Sequence, residues 1–346
     1  MSSSGHFYQT PSITYVDTAR SPFGHDCPFD PTYGYTTAQL LAVESPEPPV
    51  DFADFWRTRT DRALAIDPAP EWLGEPEDRG DHTVQLIRYR STDGAVIVGW
   101  VSIPKEAEVT SLGVIGHGYG ARGDADPTRL LPGSACIYPC ARGLGKSPFG
   151  SETAFTTPEH VVYGIESRDT YIHGGCVDDY LCAATVLQGL FPRAARQLYY
   201  DGGSFGGGIG ALLLAWDLRF RAGMLRVPSF GHYPLRVTLP CKGSGRAITE
   251  RYERDPGILE VLRYFDAASA ARFITTPTLI SAALFDPSVP PPGQFAVYNA
   301  LRLPERHLYV ISAGHHAYPE QEAEMETVRE AKIAFLTAML SREPGS

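Results

Sequence analysis

Apolar and polar residues alternate along this chain in short blocks, and the spacing within each block predicts its secondary structure. Mostly apolar runs bounded by Gly, Pro and polar residues predict strands at 82–91, 95–104, 111–120, 134–143, 197–203, 222–229, 277–286 and 306–318, the last running into a loop. Apolar residues at helical spacing predict helices at 51–66, 177–190, 205–217, 292–301 and 322–340. From residue 111 onward strands and helices alternate, which predicts an α/β protein with a mostly parallel central sheet and helices on both faces.

Three segments depart from this alternation. The strands at 82–91 and 95–104 flank Thr92-Asp93-Gly94, a turn sequence that predicts a β-hairpin. Residues 1–50 are rich in Pro, Gly, Tyr and Ser and predict an irregular N-terminal arm. The main domain is expected over 51–341, and residues 230–272 interrupt its alternation as a possible small cap.

Composition and charge narrow the class of protein. With 346 residues, 43% of them hydrophobic, the chain can form one large α/β domain or two ordinary ones. A net charge of −10 disfavours nucleic acid and anionic membranes as partners. We expect no transmembrane segment, because no apolar window reaches about 18 residues, and no secretory signal at the N-terminus. The six cysteines form no CxxC pair and have no histidine at zinc spacing, which predicts buried free thiols and a cytoplasmic protein.

The strongest chemical motif is residues 202–206, GGSFG, which fits G-x-S-x-G between a predicted strand and a predicted helix. This context is typical of the nucleophile elbow of the α/β-hydrolase fold, in which small residues let the chain turn sharply and expose the serine. The helix N-terminus would favour developing negative charge there. The alternative is a glycine-rich helix start in which Ser204 is only a small packing residue.

A serine nucleophile needs a base and an acid, and in this fold they follow it in the order acid, then histidine. Asp286 ends the strand at 277–286, and His315 follows the last strand after Gly314. We therefore predict Ser204, Asp286 and His315 as catalytic residues, with the adjacent His316 as an open alternative. The backbone amides of Phe205 and Tyr119 are predicted to form the oxyanion hole, because residues 117–120 (HGYG) follow an earlier core strand.

Together these motifs resemble the acetyl xylan esterase and cephalosporin C deacetylase family of α/β-hydrolases, carbohydrate esterase family seven, over residues 30–340. The resemblance rests on several segments in that family's order: DFADFW, HGYGA, ARG at 141–143, DTY at 169–171, GGSFGGG, FDPSVPPPGQFAVYNAL and GHHAY. It implies an α/β-hydrolase fold and a serine carboxylic ester hydrolase that deacetylates small acetylated sugars or related alcohols. It also implies no metal or organic cofactor, a homo-oligomer, and the same roles for Ser204, Asp286 and His315.

This chain departs from the family pattern near the expected mouth of the site. Leu144, Phe205 and His316 replace Gln, Gln and Glu, and residues 172–175 (IHGG) replace a Tyr-rich, Arg-bearing run. We therefore predict a modified substrate pocket, in which Phe205 adds an apolar surface beside the nucleophile. The candidate pocket residues are Tyr119, Arg142, Leu144, Phe205 and His316, although Arg142 could instead tie loops together.

Other functions remain compatible with these residues. An acyltransferase, a lactone hydrolase, a peptidase or a natural-product tailoring esterase could use the same acyl-enzyme, because water, alcohol or amine can attack it. A non-enzymatic binding protein on a hydrolase scaffold is disfavoured, because no member of the predicted triad is missing.

Overall fold

The computed structural model describes residues 6–9, 23–120, 122–127, 131–150 and 153–342. Residues 1–5 and 10–22 of the predicted N-terminal arm lie outside the described residues.

The described residues contain ten strands in one sheet. They are β1 (His6–Gln9), β2 (Glu71–Arg79), β3 (His82–Arg90), β4 (Val96–Pro104), β5 (Ser111–Gly116), β6 (Ser134–Pro139), β7 (Leu198–Gly203), β8 (Phe220–Arg226), β9 (Thr278–Phe285) and β10 (His307–Ala313). Their order across the sheet is β1-β10-β9-β8-β7-β5-β6-β4-β3-β2. The pairs β2–β3, β3–β4 and β4–β6 are antiparallel, and the other neighbouring pairs are parallel. The prediction of a mostly parallel sheet is therefore confirmed.

The predicted hairpin is present, since β3 and β4 pair antiparallel across the turn at 91–95. The strand β2, which pairs with β3 at the edge of the sheet, was not predicted. Its sequence, EWLGEPEDR, is almost entirely exposed and includes Gly74 and Pro76. An edge strand of this kind has no apolar alternation to reveal it, because neither of its faces is buried.

Helices cover both faces of the sheet, as predicted. Those in the described residues are α1 (Thr37–Leu40), α2 (Phe52–Leu64), α3 (Thr157–Val162), α4 (Ile172–Leu190), α5 (Phe205–Leu214), α6 (Tyr233–Arg236), α7 (Ser244–Arg254), α8 (Ile258–Leu262), α9 (Ala267–Ala271), α10 (Pro291–Ala300) and α11 (Gln321–Ser341). Successive strand residues point to opposite faces: Tyr200 and Ile280 join the core beneath α4 and α5, whereas Tyr199 and Leu279 join the core beneath α11. None of the helices described has the length and apolar character needed to cross a membrane.

Residues 230–272, the predicted cap, contain the helices α6 to α9, and α7 packs against α3.

The segment before α2 forms hydrogen bonds with the C-terminal part of the chain. The carbonyl of Pro31 accepts a hydrogen bond from the Asp286 amide at 3.0 Å. The Asn299 side chain on α10 donates to the carbonyls of Leu40 and Val43 at 2.9 and 2.8 Å.

A buried ion pair connects the loop after β6 to α4. The Arg142 side chain is 2% exposed and its Nη2 lies 2.7 Å from Oδ1 of Asp179, which is fully buried. The Arg142 backbone amide also donates to Asp179 Oδ2 at 2.8 Å. Nη2 reaches the hydroxyls of Ser91 and Thr92 at 3.1 Å each, at the hairpin turn. Arg142 thus ties its own loop to the hairpin turn and to α4, which is the structural alternative considered for it above.

We predict that Arg142→Ala lowers the free energy of unfolding by about 3–5 kcal/mol, because it leaves the Asp179 carboxylate buried without its cation. Urea denaturation followed by circular dichroism measures this. The matched control is Arg246→Ala, which removes an exposed pair with Glu250 on α7 and is expected to cost about 0.5 kcal/mol or less. Equal losses in the two variants would contradict the prediction.

Candidate active site

Ser204 lies at a sharp turn between β7 and α5, in a backbone conformation that non-glycine residues rarely adopt. Its φ is 56° and its ψ is −116°. Two hydrogen bonds hold this strained geometry: the Ser204 amide donates to the Arg226 carbonyl at 2.9 Å, and the Ser229 amide donates to the Ser204 carbonyl at 3.0 Å.

The glycines around Ser204 are required by close backbone packing. A Cβ on Gly202 would lie 2.6 Å from the carbonyl oxygen of Gly206. A Cβ on Gly206 would lie 2.9 Å from the Gly116 carbonyl carbon at the end of β5. The turn thus brings strand, helix and the loop after β5 together, and this accounts physically for the G-x-S-x-G motif.

The structure brings Ser204, His315 and Asp286 into one hydrogen-bonded chain. His315 Nε2 lies 3.0 Å from Ser204 Oγ, and His315 Nδ1 lies 2.8 Å from Asp286 Oδ2. Because a carboxylate only accepts, Nδ1 carries the proton of the neutral ring and Nε2 accepts from the serine hydroxyl. The neighbouring His316 instead packs on Phe285, with ring centroids 4.9 Å apart. Of the two candidates, His315 is therefore the one within hydrogen-bond distance of both Ser204 and Asp286.

The Asp286 carboxylate is fully buried and held by several donors. Its Oδ1 accepts from the amides of Ser288 and Val289 at 2.8 and 2.9 Å. Its Oδ2 accepts from His315 and from Gln294 Nε2, the latter at 3.1 Å. Gln294 is itself fully buried on α10. Sequence analysis missed it, although an amide side chain in the first turn of a largely apolar helix soon after Asp286 was the available signal.

The loop at 117–120 lies against the nucleophile. An ideal Cβ on Gly118 would be 3.8 Å from Ser204 Cβ, and the Gly206 amide donates to the His117 carbonyl at 2.8 Å. Phe205 is the first residue of α5, so its amide has no acceptor within the helix. Phe205 directly follows Ser204, and Tyr119 lines the same cleft as Ser204. The backbone amides of these two residues are the ones predicted to form the oxyanion hole.

His117 fixes the orientation of the Tyr119 amide. The Ala141 amide donates to His117 Nε2 at 3.0 Å, so the ring proton is on Nδ1, which donates to the Gly118 carbonyl at 2.8 Å. In a trans peptide the N–H points opposite to the C=O. The Tyr119 N–H, in the same peptide plane as the Gly118 carbonyl, is therefore directed away from the imidazole.

A buried aromatic cluster lies beneath this loop. The Phe205 ring is fully buried and lies 4.6 Å from the Tyr119 ring and 5.6 Å from the His117 ring, measured between centroids. Tyr119 Oη lies 2.8 Å from His173 Nε2 and 3.2 Å from His160 Nδ1. Burial lowers the pKa of His117 and of His160 to about 4 each and lowers the pKa of His173 as well. All three rings are therefore neutral at pH 7.

Ser204 opens into a cleft of about 680 Å³. The residues that line it come from the end of β5 and the segment after it, the start of α3, the elbow, β8, the start of α7 and the loops after β9 and β10. They are Gly116, His117, Gly118, Tyr119, Gly120, Arg122, Gly123, Asp124, Thr157, Gly203, Ser204, Arg226, Gly243, Ser244, Ser288, Val289 and His315. Of the five predicted pocket residues, only Tyr119 lines this cleft.

The other four predicted pocket residues require correction. Phe205 adds no apolar surface beside the nucleophile, because its ring packs into the aromatic cluster. Leu144 is 2% exposed in the core, His316 packs on Phe285, and Arg142 lines a separate cavity of about 430 Å³. Sequence analysis missed Arg226, Thr157 and Ser244. The position of Arg226 at the carboxyl end of a parallel strand was a usable signal, because ligands bind at that edge of such sheets.

We predict that His160→Gln makes stability less dependent on pH. The ordinary histidine pKa is 6.5 and that of buried His160 is about 4, so between these values the unfolded chain binds the proton first. The stability that neutral His160 provides is complete above pH 6.5 and is lost as the pH falls towards 4, by about 1 kcal/mol per pH unit. Urea unfolding of both proteins from pH 7 to 4.5 measures the two slopes. Parallel curves would show that His160 is not buried neutral in the native state.

Comparison with known proteins identifies the family of the chain. The acetyl xylan esterase family profile matches residues 39–336. The acetyl xylan esterase from Paenibacillus sp. R4 is 24% identical, with 86% of this chain and 99% of that chain covered and a TM-score of 0.72. Acetyl xylan esterase 1 from Thermoanaerobacterium sp. JW/SL YS485 is 21% identical, with 87% and 99% covered and a TM-score of 0.75.

A more distant similarity is to acylaminoacyl peptidase from Pyrococcus horikoshii, 17% identical over 79% of this chain and 43% of that one, with a TM-score of 0.58. The structural similarities establish the α/β-hydrolase fold, and the profile match over most of the length establishes the family that the sequence motifs indicated. The chain belongs to the acetyl xylan esterase family and is a carboxylic ester hydrolase.

Proposed function

We propose that this protein removes acetyl groups from small acetylated sugars or related alcohols through an acyl-enzyme formed on Ser204. The observation that carries the proposal is the chain of contacts Ser204 Oγ–His315 Nε2 at 3.0 Å and His315 Nδ1–Asp286 Oδ2 at 2.8 Å. Membership of the acetyl xylan esterase family, and the acetyl xylan esterases among the structural neighbours, support acetate as the acyl group.

In the first half-reaction His315 Nε2 takes the hydroxyl proton as Ser204 Oγ attacks the acyl carbon. The carbonyl oxygen becomes an oxyanion, which the amides of Phe205 and Tyr119 stabilise. The intermediate collapses, the bond to the leaving alcohol breaks, and His315 returns the proton to that alcohol. In the second half-reaction His315 takes a proton from water as the water oxygen attacks the acyl carbon of the acetyl-serine. The bond from that carbon to Ser204 Oγ then breaks, His315 returns the proton to Oγ, and acetate leaves.

The surroundings of the triad suit these steps. The buried Asp286 carboxylate stabilises the His315 imidazolium in both half-reactions, and its amide and Gln294 donors keep it aligned with Nδ1. His117, neutral and bonded to the Gly118 carbonyl, keeps the Tyr119 amide directed away from its own ring before substrate arrives. An amide dipole that is oriented before the reaction needs no rearrangement as negative charge develops on the carbonyl oxygen of the substrate.

We also propose a cytoplasmic homo-oligomer. The cytoplasmic assignment is supported by the six cysteines, all of them free thiols in the structure, five of them buried. The homo-oligomer follows from the family resemblance described above.

We expect Ser204→Ala to lower kcat/KM for p-nitrophenyl acetate by about 10³-fold or more, because the nucleophile itself is lost. The unmodified protein is expected to prefer acetate over butyrate and octanoate esters. Initial rates of nitrophenolate release measure both. Full turnover by the serine variant would contradict the proposed mechanism, and faster hydrolysis of octanoate would contradict acetate as the acyl group.

We expect Gly314→Ala to lower kcat for the same ester by about 10²-fold, because misplacing a catalytic group by about 1 Å has effects of that size. A Cβ on Gly314 would lie 2.2 Å from Asp286 Oδ2, so the carboxylate that orients His315 must move. The matched control is Gly189→Ala on α4, where no atom would lie within 4 Å of the new Cβ. Equal kcat values for the two variants would contradict this reading of Gly314.

A further inference from the structure

Arg226 lies beside the nucleophile at the carboxyl end of β8. Its carbonyl accepts the hydrogen bond from the Ser204 amide, and its guanidinium extends over Gly203. An ideal Cβ on Gly203 would lie 3.3 Å from Nη2 and 3.5 Å from Nε of Arg226. The residue is exposed and lines the same cleft as Ser204 and His315. The missing side chain at Gly203 thus leaves room for a cation next to the reacting serine.

No carboxylate or other acceptor bonds the Arg226 guanidinium within the part of the chain that the structure describes. The carboxylates of this region have other partners. Asp286 is bonded to His315, Glu324 to Ser312, and the cleft residue Asp124 to Arg79 at 2.7 Å. The positive charge of Arg226 is therefore available to a ligand bound in the cleft.

A second arginine adds to the positive charge of the cleft. Arg122 also lines it; its Nη2 donates to the Ile115 carbonyl at 3.1 Å, and its guanidinium lies 5.0 Å from the centre of the Tyr138 ring. Neither contact neutralises its charge. A protein with a net charge of −10 thus has a catalytic cleft with two arginines whose side chains have no acidic partner among the described residues. This local field would concentrate anions near Ser204.

We infer that the cleft accepts esters whose alcohol part carries an anionic group, and that Arg226 recognises this group. The inference rests on the proposed function, because an acetyl group has no position for a charge and the anion must then belong to the alcohol. The planar guanidinium with five donors suits a carboxylate, phosphate or sulfate, which it can bind through two parallel hydrogen bonds. Arg226 is thus a specificity residue rather than part of the triad.

A structural role does not account for this side chain. Since Arg226 is exposed and makes no side-chain hydrogen bond to the described residues, its removal leaves no buried partner unsatisfied. Arg142 is the contrasting case, because each part of its guanidinium faces an acid or a hydroxyl. A substitution at Arg226 should therefore change substrate preference without unfolding the protein.

The test compares 4-acetoxybenzoate with its neutral counterpart 4-acetoxybenzamide as substrates of the unmodified protein and of Arg226→Gln. The ratio of the two kcat/KM values, anionic over neutral, is expected to fall about tenfold in the variant, mainly through a higher KM for the benzoate. Comparing ratios cancels the different intrinsic reactivity of the two esters. Arg226→Lys keeps the charge and is expected to retain an intermediate ratio.

One control variant and one further substrate complete the test. Arg57→Gln removes one exposed arginine outside the cleft and is expected to leave the ratio unchanged, which separates local recognition from net charge. 4-Acetoxyphenyl phosphate replaces the carboxylate by a phosphate, so its kcat/KM relative to the benzoate distinguishes the two kinds of anion. The preference for either anionic ester should also weaken as salt is added.

An unchanged ratio in Arg226→Gln, with Ser204-dependent turnover of both esters intact, would overturn the inference and leave the proposed function standing. Absence of Ser204-dependent turnover on both esters in the unmodified protein would instead contradict the proposed function on which the inference rests.

Discussion

The close approach of three backbone segments at Ser204 is the constraint on which this site depends. The end of β7, the start of α5 and the end of β5 meet where Gly202, Gly206 and Gly116 leave no room for side chains. This contact forces Ser204 into the left-handed region at φ 56°. It also brings the 117–120 loop against the same serine. Ser204 and the loop that carries Tyr119 are therefore positioned by one packing arrangement rather than by two independent ones.

A layer of buried polar groups supports this arrangement from below. His117, His160 and His173 are neutral there, and their hydrogen bonds connect the Tyr119 loop to the loop after β6 and to α4. The Arg142–Asp179 pair fastens the same loop to the helix. Polar groups this deeply buried are costly unless paired, so they restrict the loops to one geometry. The rigidity of the Tyr119 loop therefore follows from the buried ion pair and the hydrogen-bonded rings beneath it.

The sequence was sufficient for most of the sheet and for the serine, aspartate and histidine that meet at its edge. Buried strands have a continuous apolar pattern, and the elbow needs glycines at fixed spacing, so both leave a local signature. The edge strand β2 leaves none, because its exposed residues carry no pattern of burial. The sequence predicts the Phe205 side chain in the cleft because Phe205 directly follows Ser204. In the first turn of a helix, however, the side chain and the amide of one residue point in different directions. Gln294 and Arg226 act through contacts between distant segments, which spacing along the chain does not encode.

The bond between Pro31 and the Asp286 amide has a consequence for how the protein is made. The ribosome completes the segment around Pro31 long before it begins β9. The Pro31 carbonyl therefore cannot accept its hydrogen bond until Asp286 has been synthesised. Asn299 then fixes Leu40 across a separation of 259 residues. Contacts between such distant parts of a chain form late, because loop closure costs entropy before any contact is gained. The turn that holds Asp286 is thus completed only after most of the polypeptide has been synthesised, whereas the residues of the elbow at Ser204 are made earlier.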